Sequence, residues 1–118
     1  TGPYIQYSAV RIAAILKRLG ELNGEILPPE GDVQRELFLY MTEFPYAVLQ
    51  SKDDYAPNAV AEYVYNLAVL LNRYYHEYKV LAEPDESKKI SRAKTLELAY
   101  GLLEQLLILL GIEIPERM

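Results

Sequence analysis

The sequence predicts an all-α protein, an antiparallel helical bundle of four main helices plus one short helix, and three observations carry that reading. Apolar residues recur at steps of three and four in at least three segments. No segment of useful length alternates strictly between apolar and polar. Proline and glycine punctuate the ends of the periodic runs.

The first helix carries Ile5, Ala9, Ile12, Leu16 and Leu19 as one apolar stripe between Pro3 and Gly20, with Pro in the first turn and Gly just past the last. Residues 21–31 contain two glycines and Pro28-Pro29 and form an extended connection. Val33, Leu37, Tyr40, Met41 and Phe44 mark a second helix, with Asp32 as its cap and Pro45 as its stop. A short helix follows over about 46–52. Ala56-Pro57-Asn58 opens the most regular run, in which Val60, Val64, Leu67, Leu71, Tyr74 and Tyr78 share a face for about 30 Å. Ala82-Glu83-Pro84-Asp85 breaks it, and Asp85 caps the last helix, whose inner face is Ile90, Ala93, Leu96, Ala99, Leu103, Leu106 and Leu110, up to Gly111. Residues 102–110 are apolar nearly all round, which places the last helix at the centre of the bundle.

At 118 residues the chain, 1–118, is long enough for one domain and too short for a catalytic domain plus a binding domain. With no cysteine, a disulfide scaffold, a thiolate metal site and a cysteine nucleophile are excluded, which fits a cytoplasmic protein. One histidine, His76, excludes a multi-histidine metal centre. No apolar run approaches the roughly 18–20 residues of a membrane span, and the uncharged start does not read as a signal peptide.

The formal charge of −5 argues against nucleic acid until it is divided by region. Residues 1–20 carry Arg11, Lys17 and Arg18 and no acid, whereas 21–70 carry nine acids against Arg35 and Lys52. Residues 71–94 carry Arg73, Lys79, Lys88, Lys89, Arg92 and Lys94 against four acids. If the first helix and the 73–94 corner are neighbours, they make one basic, tyrosine-rich face. On the first helix Tyr4, Tyr7, Arg11 and Ala14 form a second stripe roughly 140° round from the apolar one. Tyrosine faces stack on unpaired bases and guanidinium binds phosphate, so that stripe suits a single strand. The same tyrosines could equally pack on a neighbouring helix with wet hydroxyls.

Gly2-Pro3-Tyr4-Ile5-Gln6-Tyr7-Ser8-Ala9-Val10-Arg11 resembles the G-P-Y-x-Q-Y-x-x-x-R segment that opens the C-terminal anticodon-binding domain, named DALR, of arginyl-tRNA synthetases. Phe44-Pro45, the run from Val60 to Ala68 into Asn72-Arg73-Tyr74-Tyr75-His76-Glu77-Tyr78, and the ending Leu110 to Met118 are similar to the family in the same order. The DALR tetrapeptide is absent; Ser91-Arg92-Ala93-Lys94 lies in that neighbourhood, and Glu97 and Glu104 stand where relatives place basic residues.

The resemblance implies an anticodon-recognition bundle of the class I synthetase type, with the anticodon loop of arginine tRNAs as partner. Tyr4, Tyr7 and Arg11 match the helix that touches the loop, Tyr75 or Tyr78 matches a base-contacting aromatic, and Met118 matches a residue packed near it. Arg73, Lys88, Lys89 and Arg92 would neutralise the backbone. It also implies a C-terminal fragment of a larger enzyme whose catalytic domain uses ATP and Mg, with monomer as the default. No catalytic, metal or cofactor site is expected in this chain, since no strand or glycine-rich phosphate loop is predicted, and neither a His-x-Gly-His-like motif nor a Lys-Met-Ser-Lys-like loop is present. His76 reads as a surface or interhelix side chain, and Asp53-Asp54 and Glu83, Asp85 and Glu86 as loop or cap acids. Two competing readings are an equivalent bundle from a cysteinyl or glycyl synthetase and a helical protein–protein module that uses its exposed tyrosines as anchors.

Overall fold

The computed structural model describes residues 2–44 and 57–118. Four helices make up the described fold: α1 (Gly2–Leu19), α2 (Asp32–Met41), α3 (Pro57–Glu77) and α4 (Glu86–Leu109), with a single 3₁₀ turn at Val80–Ala82. The expected short helix over 46–52, Pro45 and the Asp53-Asp54 pair lie outside the described residues.

Local chemistry sets most of the ends. Gly20 adopts φ 68°, and its N–H donates to the Leu16 carbonyl at 3.1 Å. Gly111, at φ 73°, lets the Ile112 N–H reach back to the Leu107 carbonyl at 2.8 Å, which closes the last turn of α4. Asp85 caps α4 as expected, its carboxylate accepting the Lys88 N–H at 3.0 Å. The expected cap of α2 is corrected: Asp32 is the first helical residue, and extended Gly31 occupies the cap position with no side chain to offer. The compensation comes from Gln34, whose side-chain oxygen accepts the Glu30 N–H at 2.8 Å. Thr42 closes α2, its hydroxyl donating to the Leu39 carbonyl at 2.6 Å.

Long-range pairs fix the topology. Gln6 donates to the Glu113 carbonyl, placing the start of α1 beside the end of α4, whereas Leu27, after α1, donates to Ser91 near the start of α4. These two helices are therefore antiparallel. Tyr40 stacks on Tyr63 while Glu36 faces Arg73, so α2 and α3 are antiparallel too. Tyr4 meets Tyr65 and Arg11 meets Tyr75, so α1 and α3 run in the same sense. The result is an up-down-up-down bundle with the 20–31 connection lying across one end.

The core is built from Ile5, Ala9 and Ile12 of α1, Leu37 of α2, Val64, Leu67 and Leu71 of α3, and Ala93, Leu96, Ala99 and Leu103 of α4. The central element is α3, which packs on α1, α2 and α4. The expectation that α4 is central is corrected, because Leu98, Ile108 and Leu109 on its outer side are all more than half exposed. Its all-round apolarity left more apolar surface than α1 and α3 cover.

Three polar side chains, Gln34, Ser91 and Thr95, are buried together where the 20–31 connection meets α4. Gln34 donates to the Thr95 hydroxyl, and that hydroxyl donates to the Ser91 carbonyl. The fully buried Tyr74 hydroxyl has no hydrogen-bond partner. Burial pushes its pKa up to about 12, an effect that the nearby Thr95 hydroxyl only partly offsets. Tyr74→Phe removes an unsatisfied group and is expected to raise unfolding stability by about 1 kcal/mol, read as a higher urea midpoint at unchanged slope.

Candidate nucleic-acid interface

The second stripe of α1 faces a groove of about 560 Å³, whose other wall is α3, with Val33 of α2 at its margin. Tyr4, Arg11, Asn72, Arg73 and His76 line it. Helical periodicity produces this wall directly, because Tyr65, Val69, Asn72 and His76 advance by four, three and four along α3.

Aromatic surface dominates one end. Tyr4 is 39% and Tyr7 56% exposed, and Tyr4 leans on the exposed Tyr65 with ring centroids 5.4 Å apart. Both rings of that pair keep area open to solvent, as a stacking platform for bases requires. Further along, the Arg11 guanidinium lies over the Tyr75 ring, 5.4 Å from its centroid. That contact holds Arg11 beside the groove through its face and leaves its N–H edges for phosphate. Arg73 stands on the same wall, 3.6 Å from Glu36 in a half-exposed pair.

Polar groups beneath Tyr4 are linked. The Asn72 amide nitrogen donates to the Ser8 hydroxyl at 2.7 Å and to the Tyr4 hydroxyl at 3.1 Å. Ser8 in turn donates to the Tyr4 carbonyl at 2.9 Å. The amide oxygen of Asn72 is buried without a partner. An orphaned acceptor of that kind costs about 1–3 kcal/mol.

The ten candidate residues fall into two groups. Tyr4, Arg11 and Arg73 line the groove, Tyr75 lies under Arg11 beside it, and Tyr7 is exposed on the same stripe of α1. Met118 is 62% exposed, in a tail that Gln6 ties to the Tyr4 end of α1 through Glu113. Tyr78, Lys88, Lys89 and Arg92 lie instead away from Tyr4, where α3 ends and α4 begins, and Tyr78 and Arg92 are engaged with each other rather than with the groove.

Arg92 is engaged inside the fold. Its guanidinium binds Glu30 through two hydrogen bonds of 2.8 and 2.9 Å, reaches Glu83 at 2.8 Å, and covers the Tyr78 ring at 5.1 Å. The two hydrogen bonds hold the Glu30 carboxyl below its ordinary pKa against the opposing effect of burial. Tyr78 packs on Tyr74, and its hydroxyl stands so close to Gly31 that a Cβ there would lie 2.5 Å away. Lys88 is exposed and Lys89 half-buried in the first turn of α4. Of the acids read as loop or cap groups, Glu83 pairs with Arg92 and Asp85 caps α4. His76 is an exposed groove residue.

Sequence reasoning missed Tyr65, Asn72 and Ser8. Periodicity could have found the first two, since they share the α3 stripe that faces Arg11. Ser8 reads as a polar residue on an apolar helix face, and only its bonding to Asn72 gives it a role.

No helix among the described residues is long and apolar enough to cross a membrane. Among them, no three His, Cys, Asp or Glu side chains form a group that could hold a metal ion, and no strand is present. The described residues are all helical, with tyrosine rings and guanidinium groups beside one groove, and that is the build of a binding domain.

Comparison with known proteins defines that class further. The DALR anticodon binding domain family matches residues 5–118. Arginine–tRNA ligases of Alkaliphilus oremlandii and Bacteroides fragilis are 39% and 34% identical over the whole chain, which covers 21% of each. The structure of Thermus thermophilus arginyl-tRNA synthetase superposes with a TM-score of 0.82 at 32% identity, again over all of this chain and 21% of that one. The chain belongs to the DALR anticodon-binding domain family and spans about a fifth of the length of the relatives it matches.

Proposed function

We propose that this domain grips the anticodon loop of an arginine tRNA as part of a monomeric, cytoplasmic arginyl-tRNA synthetase. Aminoacylation with ATP and Mg would be carried out by a catalytic domain elsewhere in the same protein. The observation that carries the reading is the groove between α1 and α3, where Tyr4, Arg11, Arg73 and Tyr75 converge on a chain homologous to arginine–tRNA ligases. Tyr4, Tyr7 and Tyr65 offer faces on which splayed bases stack, and Arg11 and Arg73 neutralise the adjoining phosphates. Met118 adds a polarisable side chain at the Tyr4 end. Arg92 and Tyr78 act in this reading as structural residues that hold the 20–31 connection, and Lys88 and Lys89 offer at most long-range attraction.

The relatives compared are arginine–tRNA ligases, which disfavours a cysteinyl or glycyl origin and a tRNA-free interaction module. The test is anisotropy of labelled anticodon stem-loops, one with an arginine anticodon and one with its central base changed, at two salt concentrations. The arginine hairpin should bind more tightly, and both should weaken as salt rises. Tyr7→Ala is expected to weaken binding by about tenfold or more through lost stacking, and Arg11→Ala to weaken it and flatten the salt dependence. Unchanged binding by both variants, or no binding at low salt, rules out this face.

A further inference from the structure

We infer that Asn72 fixes the direction of the Tyr4 hydroxyl proton, making that hydroxyl a committed hydrogen-bond donor toward the groove, and hence selective for an acceptor atom on the bound strand. The inference rests on the RNA-loop reading above and names the polarity of one of its contacts.

The argument begins at Ser8. Its hydroxyl has one proton, directed at the Tyr4 carbonyl 2.9 Å away. The Ser8 oxygen must therefore accept from whatever else touches it, and the Asn72 amide touches it at 2.7 Å. That requirement sets the amide orientation, with nitrogen toward α1 and oxygen turned into the protein. Once set, the second amide proton points at the Tyr4 hydroxyl, 3.1 Å away. The Tyr4 oxygen accepts there, so its own proton is directed away from Asn72. The ring is held by Tyr65 and remains 39% exposed, and the proton is left for the groove.

A hydroxyl in water donates or accepts as its partner demands. Tyr4, already accepting from Asn72, favours an acceptor: a base carbonyl or ring nitrogen, or a phosphate oxygen. A base amino group presented to the same atom would meet a proton already in place. The orphaned amide oxygen of Asn72 is consistent with this arrangement, because a side chain chosen for packing alone would not bury an unpartnered acceptor there.

The test is a double-substitution cycle on the 118-residue chain, read by anisotropy with the arginine anticodon hairpin and by thermal melting of each variant. Tyr4→Phe keeps the ring and removes the donor, and is expected to weaken binding about five- to tenfold. Asn72→Ala releases the hydroxyl and is expected to weaken binding by a similar or smaller factor, with the salt dependence unchanged because no charge is altered. In the Tyr4→Phe background, Asn72→Ala should have almost no further effect. Asn72→Ser serves as a second variant that keeps a polar group but falls short of Tyr4, and should behave as Asn72→Ala does.

Hairpins with a single methylphosphonate, or with a single base acceptor removed, separate the two sources of acceptor. The Tyr4→Phe penalty should vanish for the one RNA that has lost the partner atom. If Tyr4→Phe binds as well as the unaltered chain, or if the two losses multiply, the inference fails, and a retained Tyr7→Ala effect shows that the RNA-loop reading survives without it. Loss of both the Tyr4→Phe and Tyr7→Ala effects overturns the inference and that reading together.

Discussion

Arg92→Ala should lower the stability of the domain by about 3 kcal/mol, measured as a shift in the urea midpoint. The substitution leaves Glu30 and Glu83 facing each other across the site of the lost guanidinium, and both side chains are at most one-fifth exposed. It also uncovers the Tyr78 ring and frees the 20–31 connection from α4. Arg92→Lys keeps the charge but cannot reproduce two parallel bonds to Glu30 together with one to Glu83, so an intermediate loss is expected.

The pH dependence has a definite sign. Glu30 titrates below the ordinary carboxyl value of 4.5, so the unfolded chain takes up its proton first. The pair's stabilisation is therefore present at neutral pH and is lost as pH falls below about 4.5. In Arg92→Ala that acid-sensitive component should be reduced, and its stability should approach that of the unaltered chain toward pH 3.

Tyr63→Ala should cost about as much, roughly 3–4 kcal/mol, at a different place. Tyr63 is buried, stacks on Tyr40 with centroids 4.5 Å apart, and donates its hydroxyl to the Tyr40 carbonyl at 2.8 Å. Tyr40 returns a longer bond to the Tyr63 carbonyl. Among the described helices α2 packs chiefly on α3, so this clasp is its main attachment. Hydrogen exchange should show α2 opening before the rest in Tyr63→Ala.

Tyr63→Phe keeps the ring and should lose only about 1 kcal/mol. Burial, and then the neighbouring Tyr40 and Glu43, raise the Tyr63 pKa well above 10. Burial also raises the Tyr40 pKa, partly offset by Asn66. Both are held neutral in the folded state, so their contribution is complete below pH 10 and declines as pH rises above it. Alkaline unfolding should be shallower in Tyr63→Phe.

Much of this was legible in the residues themselves. The stripes on α1, α3 and α4 identified most of the core, and Asp85, Gly20 and Gly111 marked helix ends because each performs a local task. The Tyr4, Tyr7 and Arg11 stripe was visible for the same reason, since a helix repeats its faces regardless of what packs on them. What stayed hidden depends on partners far away in the chain. Nothing in the sequence shows that Gln34, Ser91 and Thr95 are bonded to one another or to the 20–31 connection. Arg92 has the pattern of an exposed basic residue, and nothing near it in sequence shows Glu30 reaching it from 62 positions away. Tyr75 and Tyr78 are one turn apart, so periodicity could not separate them. The neighbours decide: Arg11 covers one and Arg92 the other.

The hydrogen bond between Gln6 and Glu113 joins positions 107 apart. Helix α1 needs α3 and α4 to cover Ile5, Ala9 and Ile12, yet a ribosome makes α1 first. At 5–20 residues per second, α1 waits on the order of ten seconds for the helix that closes over it. An isolated helix of 18 residues is marginal in water, so its apolar face is available to chaperones for that interval. Folding should therefore be slower than in bundles whose contacts are mainly between sequence neighbours. Joining the two ends and reopening the chain between α2 and α3 would bring α1 out after both helices that cover it.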